Sequence, residues 1–115
     1  MGVKKLSKYP TRVPNSVYVK AKMISVLASK TMYEVATQAI REYLYDVECA
    51  KVSPSQQANE YENIFGAEKL HMWTVIVDEE LWKTLKHVSI DYNLDIYKAL
   101  SFAVMRYAER NYPNT

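Results

Sequence analysis

Tyr9-Pro10-Thr11-Arg12-Val13-Pro14-Asn15-Ser16-Val17-Tyr18 and, 64 residues later, Trp73-Thr74-Val75-Ile76-Val77-Asp78-Glu79-Glu80-Leu81-Trp82 are two versions of one pattern. Aromatic falls on aromatic at both ends, and Val13 falls on Val77. The same offset brings Lys22 onto Lys86, Ser25 onto Ser89, Ala39-Ile40 onto Ala103-Val104 and Tyr43 onto Tyr107, whereas Ala36 reaches Ala99 only if one residue is slipped. A self-match at a fixed offset is the mark of a repeated unit. Each copy reads as one short strand followed by two helices. Such a unit is too small to bury its own apolar face, so the two copies are expected to pack together.

Working outward from the first copy, residues 8–13 alternate, with Tyr9, Thr11 and Val13 on one face of a strand and Lys8, Pro10 and Arg12 on the other. Pro14 suits the first helical turn, where its missing N–H costs little. A helix over 14–28 follows, with Val17, Ala21, Ile24 and Ala28 as its apolar stripe. Thr31 and Glu34 have capping-box spacing before a second helix over 32–47, whose inward residues are Val35, Ala36, Ala39, Ile40, Tyr43 and Leu44. Residues 49–69 read as a linker. Ser53-Pro54-Ser55-Gln56-Gln57 breaks helical pattern there, and Ala58 to Phe65 has room for a short helix ended by Gly66. In the second copy Trp73, Val75 and Val77 alternate with Met72, Thr74 and Ile76. Asp78 and Asp95 stand where helix caps are expected. Leu81, Leu85, Val88 and Tyr92 form one stripe, and Ala99, Leu100, Ala103, Val104 and Tyr107 another, with Asn93 suited to a left-handed helix end between them. The organisation expected is a basic arm (1–7), copy 1 (8–48), a linker (49–69) and copy 2 (70–111).

Composition narrows the function. The 115 residues are 49% hydrophobic and 24% charged, as in an ordinary globular domain. The single cysteine, Cys49, excludes an intrachain disulfide and suits a reducing cytoplasm, or a host's cytoplasm for a viral chain. No run of 18 apolar residues points to a membrane span. His71, His87 and Cys49 have no metal-ligand spacing, the two glycines make no phosphate loop, and no nucleophile has a base beside it. Neither an enzyme nor a cofactor is expected. The net charge of +2 is uneven, with residues 1–51 at +5 and residues 52–115 at −3, so the first half is the side suited to a polyanion. A Tyr-rich, Gly-poor, Lys-rich chain also suits a thermophilic archaeon or one of its viruses or plasmids.

Val75-Ile76-Val77-Asp78-Glu79-Glu80-Leu81, Asn93-Leu94-Asp95 and Ala39-Ile40-Arg41-Glu42-Tyr43-Leu44 resemble the strand-to-helix junction, inter-helix turn and second-helix ending of the ribbon-helix-helix (MetJ/Arc/CopG) superfamily. The resemblance covers roughly residues 8–47 and 70–110 and implies a tandem, two-copy form. The fold it implies is mainly α with a short two-stranded antiparallel β-ribbon, the copies pairing either as an intrachain pseudo-dimer or as an intertwined homodimer. The family's ribbon enters the DNA major groove.

Carried over by position, the base-contacting residues are Lys8, Pro10 and Arg12 from the first strand and Met72, Thr74 and Ile76 from the second. Arg12 can bond guanine O6 and N7, Thr74 a base edge, and Met72 and Ile76 can meet thymine methyls. The DNA backbone would be held by the arm lysines Lys4 and Lys5 and by Lys30, Thr31 and Met32 at the start of the second helix, where the dipole favours phosphate. In the second copy Asp95-Ile96 takes that place and its carboxylate opposes phosphate. Pro10 is expected to delete one ribbon hydrogen bond. The resemblance therefore implies a double-stranded-DNA-binding transcriptional regulator, a repressor, with the first copy supplying most contacts. Two alternatives stand beside it. One is an accessory protein of plasmid transfer or maintenance. The other is an antitoxin-like or viral protein-interaction module that binds a protein partner through the 49–69 linker or the apolar Met72/Ile76 face.

Overall fold

Two nine-residue strands, β1 (Leu6–Pro14) and β2 (Leu70–Asp78), pair antiparallel, with Leu6 opposite Asp78 and Pro14 opposite Leu70. In the computed structural model, which describes residues 5–114, helices make up most of the rest: α1 (Asn15–Leu27), α2 (Met32–Glu48), α3 (Pro54–Phe65), α4 (Glu79–Asp91) and α5 (Ile96–Asn111). The chain is thus mainly helical with a two-stranded antiparallel sheet. Each strand is longer than the expected 8–13 alternation, and Leu6 and Ser7, assigned to the arm, belong to the ribbon.

The 64-residue offset governs the backbone. β1, α1 and the start of α2 map onto β2, α4 and the start of α5 without any slip, so the slip needed to match Ala36 with Ala99 is unnecessary and Val35 is the counterpart of Ala99. The turns repeat as well. Ser29 (φ 54°) and Asn93 (φ 53°) both take the left-handed conformation. Ser25 Oγ and Ser89 Oγ each donate to the carbonyl five residues on, of Lys30 and Leu94. At the ribbon ends the N–H of Asn15 donates to Lys69 O (2.9 Å) and that of Glu79 to Lys5 O (2.8 Å), two bonds related by the same offset.

These bonds settle the place of Pro10. In an antiparallel ladder, hydrogen-bonded rungs alternate with non-bonded ones. The bonded rungs 5–79 and 15–69 have odd β1-side numbers, so Pro10↔Thr74 is a non-bonded rung. The proline therefore removes no ladder hydrogen bond, contrary to the expectation from sequence.

The core lies between the inner face of the ribbon and the helices. Val13, Val75 and Val77 are fully buried against Val17, Ala21 and Ile24 of α1, Val35, Ala36, Ala39 and Ile40 of α2, and Leu100, Ala103 and Val104 of α5. Two aromatic contacts cross between the copies. Tyr9 stacks on Trp82 (ring centroids 4.6 Å apart), and Tyr18 meets Trp73 edge-on (5.9 Å). Tyr9 and Trp73 are repeat counterparts, as are Tyr18 and Trp82, so each strand lays its aromatic on the first helix of the other copy. In α4 Trp82 and Leu85 are buried and Leu81 and Val88 pack partly buried against the core, whereas Tyr92, just past the helix end, is exposed.

α2 and α5 pack together, and their charges are complementary. Glu42 and Asp46 of α2 have as counterparts Arg106 and Arg110 of α5. Asp46 is 1% exposed, and its Oδ2 accepts from Arg106 Nη2 (3.0 Å) and Arg110 Nη2 (2.7 Å), while Glu42 Oε1 accepts from Arg110 Nη1 (3.1 Å). Burial alone would raise the Asp46 carboxyl, but the hydrogen bonds from Arg106 and Arg110 outweigh it and hold it below the ordinary aspartate value.

The linker is structured where sequence suggested flexibility. Ser53 caps α3 by accepting from the Gln56 N–H, and Pro54 occupies the first helical turn, so Ser53-Pro54-Ser55-Gln56-Gln57 is a helix start rather than a break. Pro54, Gln57, Tyr61 and Phe65 form its buried face. Tyr61 and Phe65 meet Phe102 of α5 edge-on, and Gln57 Oε1 accepts from the Tyr43 hydroxyl (2.6 Å). Glu68 then reaches the start of α1, accepting from Ser16 N–H (2.9 Å) and Ser16 Oγ (2.8 Å). It serves there as the cap that Pro14 lacks. Asp78 and Asp95 hold the expected cap positions but make no capping side-chain bond, whereas Thr31 and Glu34 form a full capping box.

Candidate nucleic-acid interface

The inner face of the ribbon is fixed by burial of Val13, Trp73, Val75 and Val77 and by the partly buried Tyr9, and strand alternation then forces their neighbours outward. Lys8, Pro10, Arg12, Met72, Thr74 and Ile76 are all exposed, and they meet as three alternate rungs: Lys8↔Ile76, Pro10↔Thr74 and Arg12↔Met72. These are non-bonded rungs, whose Cα atoms approach to about 4.5 Å and whose side chains lie closest. At about 3.4 Å per residue the three rungs extend over roughly 13 Å. Met72 is 63% and Ile76 39% exposed. Leu6 and Leu70, repeat counterparts of one another, extend the face and are exposed too. The sequence reading missed both, although one further period of the alternation reaches each.

The residues expected at the DNA backbone are scattered, and several are engaged elsewhere. Lys4 lies outside the described residues. Lys5 Nζ is 3.5 Å from Glu79 Oε2. The Glu79 carboxyl is held below its ordinary value, first by its hydrogen bond with Lys83 and then by the charge of Lys5. Lys30 Nζ donates to Tyr107 Oη (3.4 Å), which raises the Lys30 pKa. The N–H of Thr31 donates to Glu34 Oε1 (3.1 Å), and Met32 is partly buried against the core. The start of α2 thus carries its own carboxylate, as the start of α5 does. Asp95 there is exposed, with Oδ2 3.7 Å from Lys98 Nζ. The ribbon and not the helix starts is the surface that assembles the expected residues.

A second exposed feature lies on α1. Val19, Met23, Val26 and Leu27, with Tyr18 and Lys22, line an open apolar groove of about 480 Å³. Their counterparts in α4 include Lys83, His87 and Asp91, so the groove belongs to the first copy alone. Among the described residues no group of three or more His, Cys, Asp or Glu is placed to hold a metal ion, and no helix is long and apolar enough to cross a membrane. No protein-family model, curated protein or solved structure matches the chain.

Proposed function

We propose that the chain is a tandem ribbon-helix-helix protein, its two copies forming an intrachain pseudo-dimer, that binds double-stranded DNA by laying the outer face of β1 and β2 in the major groove and acts as a transcriptional regulator. The observation that carries this reading is the convergence of Lys8, Arg12 and Thr74, three side chains able to hydrogen-bond base edges, on one exposed ribbon face whose opposite face is sealed into the core. A two-stranded ribbon fits the width of the major groove. Pairing of copy 1 with copy 2 is supported by the α2–α5 charges. Like-with-like pairing would set Glu42 and Asp46 against a second Glu42 and Asp46, or Arg106 and Arg110 against a second pair of arginines, with no counter-charge.

Fluorescence anisotropy on duplex DNA across salt concentrations tests the reading. If about three phosphates are neutralised, the logarithm of affinity falls against log salt with a slope of roughly −2.7. Arg12→Ala should weaken binding to the preferred sequence by about 5- to 150-fold. Binding that ignores salt and Arg12 refutes it. A protein-interaction role is the second reading, favoured by the exposed Met72 and Ile76 and by the α1 groove. It predicts the opposite sensitivity, with Met72→Asp or Ile76→Asp abolishing partner binding and Arg12→Ala leaving it unchanged.

A further inference from the structure

The ribbon backbone is symmetric while its side chains are not. Pro10 and Thr74 are cross-strand partners and also repeat counterparts, so a local two-fold relation passes through their rung. It exchanges position 8 with 72, 12 with 76 and 6 with 70. Only Leu6 and Leu70 carry the same side chain. Lys8 answers to Met72, Arg12 to Ile76 and Pro10 to Thr74. One end of the ribbon therefore offers Arg12 beside Met72, and the other Lys8 beside Ile76.

We infer that the target is a short non-palindromic duplex read by a single chain, an inference that rests on the ribbon being the DNA-reading face. A palindrome places the same base at both dyad-related positions. Guanine under Arg12 then requires guanine under Ile76, whose side chain has no donor for O6 or N7 and would leave those acceptors desolvated and unpaired. Thymine under Ile76 and Met72, where a methyl meets a methyl or thioether, requires thymine under Arg12 and Lys8, which forfeits their bonds to guanine. Each strand is suited to a different base, so an asymmetric sequence satisfies both and any palindrome satisfies one. The stoichiometry follows from the ribbon being complete within one chain. At 3.4 Å per base pair, the roughly 13 Å between the outer rungs covers about four base pairs.

The test is selection from a randomised duplex library with the purified full chain, followed by anisotropy on the selected sequence and on the two palindromes built from its halves. The expected result is a motif without dyad symmetry, bound by one chain, with each palindrome at least about 5-fold weaker. Arg12→Ala should flatten base preference at one end of the motif only. The double variant Met72→Lys/Ile76→Arg, which gives the second strand the cations of the first at exposed positions, should move the preference to a palindrome, with an unchanged circular dichroism spectrum as the check on folding. A palindromic motif for the wild type, two chains per site, or binding without sequence preference overturns the inference and leaves DNA binding standing. Absence of duplex binding overturns both.

Discussion

Asp46→Asn tests the charge arrangement that joins the two copies. The carboxylate is almost wholly buried, and its Oδ2 accepts from Arg106 Nε (3.3 Å), Arg106 Nη2 (3.0 Å) and Arg110 Nη2 (2.7 Å). Its Oδ1 is buried without a hydrogen-bond partner among the described residues. The amide keeps the shape and one acceptor but removes the charge. Hydrogen bonds to a charged group contribute about 1.5–3 kcal/mol against about 1 for neutral ones. Both guanidinium groups reach solvent (34% and 41% exposed), so part of their loss is recovered by water. The net destabilisation should be about 1–2 kcal/mol at pH 7, a fall in Tm of roughly 3–10 °C for a domain of this size. Urea denaturation should show a lower midpoint at an unchanged slope. The pH dependence has a definite sign. The folded carboxyl sits below its ordinary value of 3.8, so its contribution is complete above that value and disappears as pH falls through the folded one. The gap between wild type and variant should therefore be constant from pH 5 to 7 and close on further acidification. Wild-type stability in Asp46→Asn, or a gap that does not narrow as pH falls below 3.8, would contradict this role for the carboxylate.

Two further outcomes concern the segment between the copies. Tyr43→Phe leaves the buried Gln57 carbonyl without its donor and should cost about 1–3 kcal/mol in chemical denaturation, with early exchange of the α3 amides as the local signature. Glu68→Ala removes both side-chain acceptors from the start of α1 and should cost about 0.5–2 kcal/mol; amide exchange at Ser16 should quicken while that of α5 stays unchanged.

Much of the fold was legible because the chain states its plan twice. Aromatic and valine positions repeating at 64 residues gave the two strands, their faces and the helices that follow, and the six outward ribbon residues came directly from strand alternation. What stayed hidden was long-range. Ser53-Pro54 serves equally well as a break or as the first turn of a helix, and only the burial of Gln57, Tyr61 and Phe65 against α5 and Tyr43 decides between them. Capping by Glu68 from 52 residues away leaves no local signal at Pro14, and the aspartates at 78 and 95 carry a cap signature that their side chains do not use. The parity of the ladder, which makes Pro10 harmless, depends on register and cannot be read from one strand. The acid-to-arginine exchange between 42/46 and 106/110 was present in the repeat alignment, but it acquires meaning only when α2 is packed on α5. The lysines and helix starts were read by position alone, and neighbours such as Glu34, Glu79 and Tyr107 had already engaged them.

The proposed role of the outer ribbon face is contact with duplex DNA. The most direct test is a titration of isotope-labelled full-length chain with duplex DNA carrying the selected sequence, followed by NMR at backbone amides and at the Met72 and Ile76 methyls. Shifts should concentrate at residues 6–14 and 70–78, with the Met72 and Ile76 methyls among the largest, while the α1 groove at Val19, Met23, Val26 and Leu27 stays unperturbed. Shifts centred on that groove or on α3, with a silent ribbon, would contradict it.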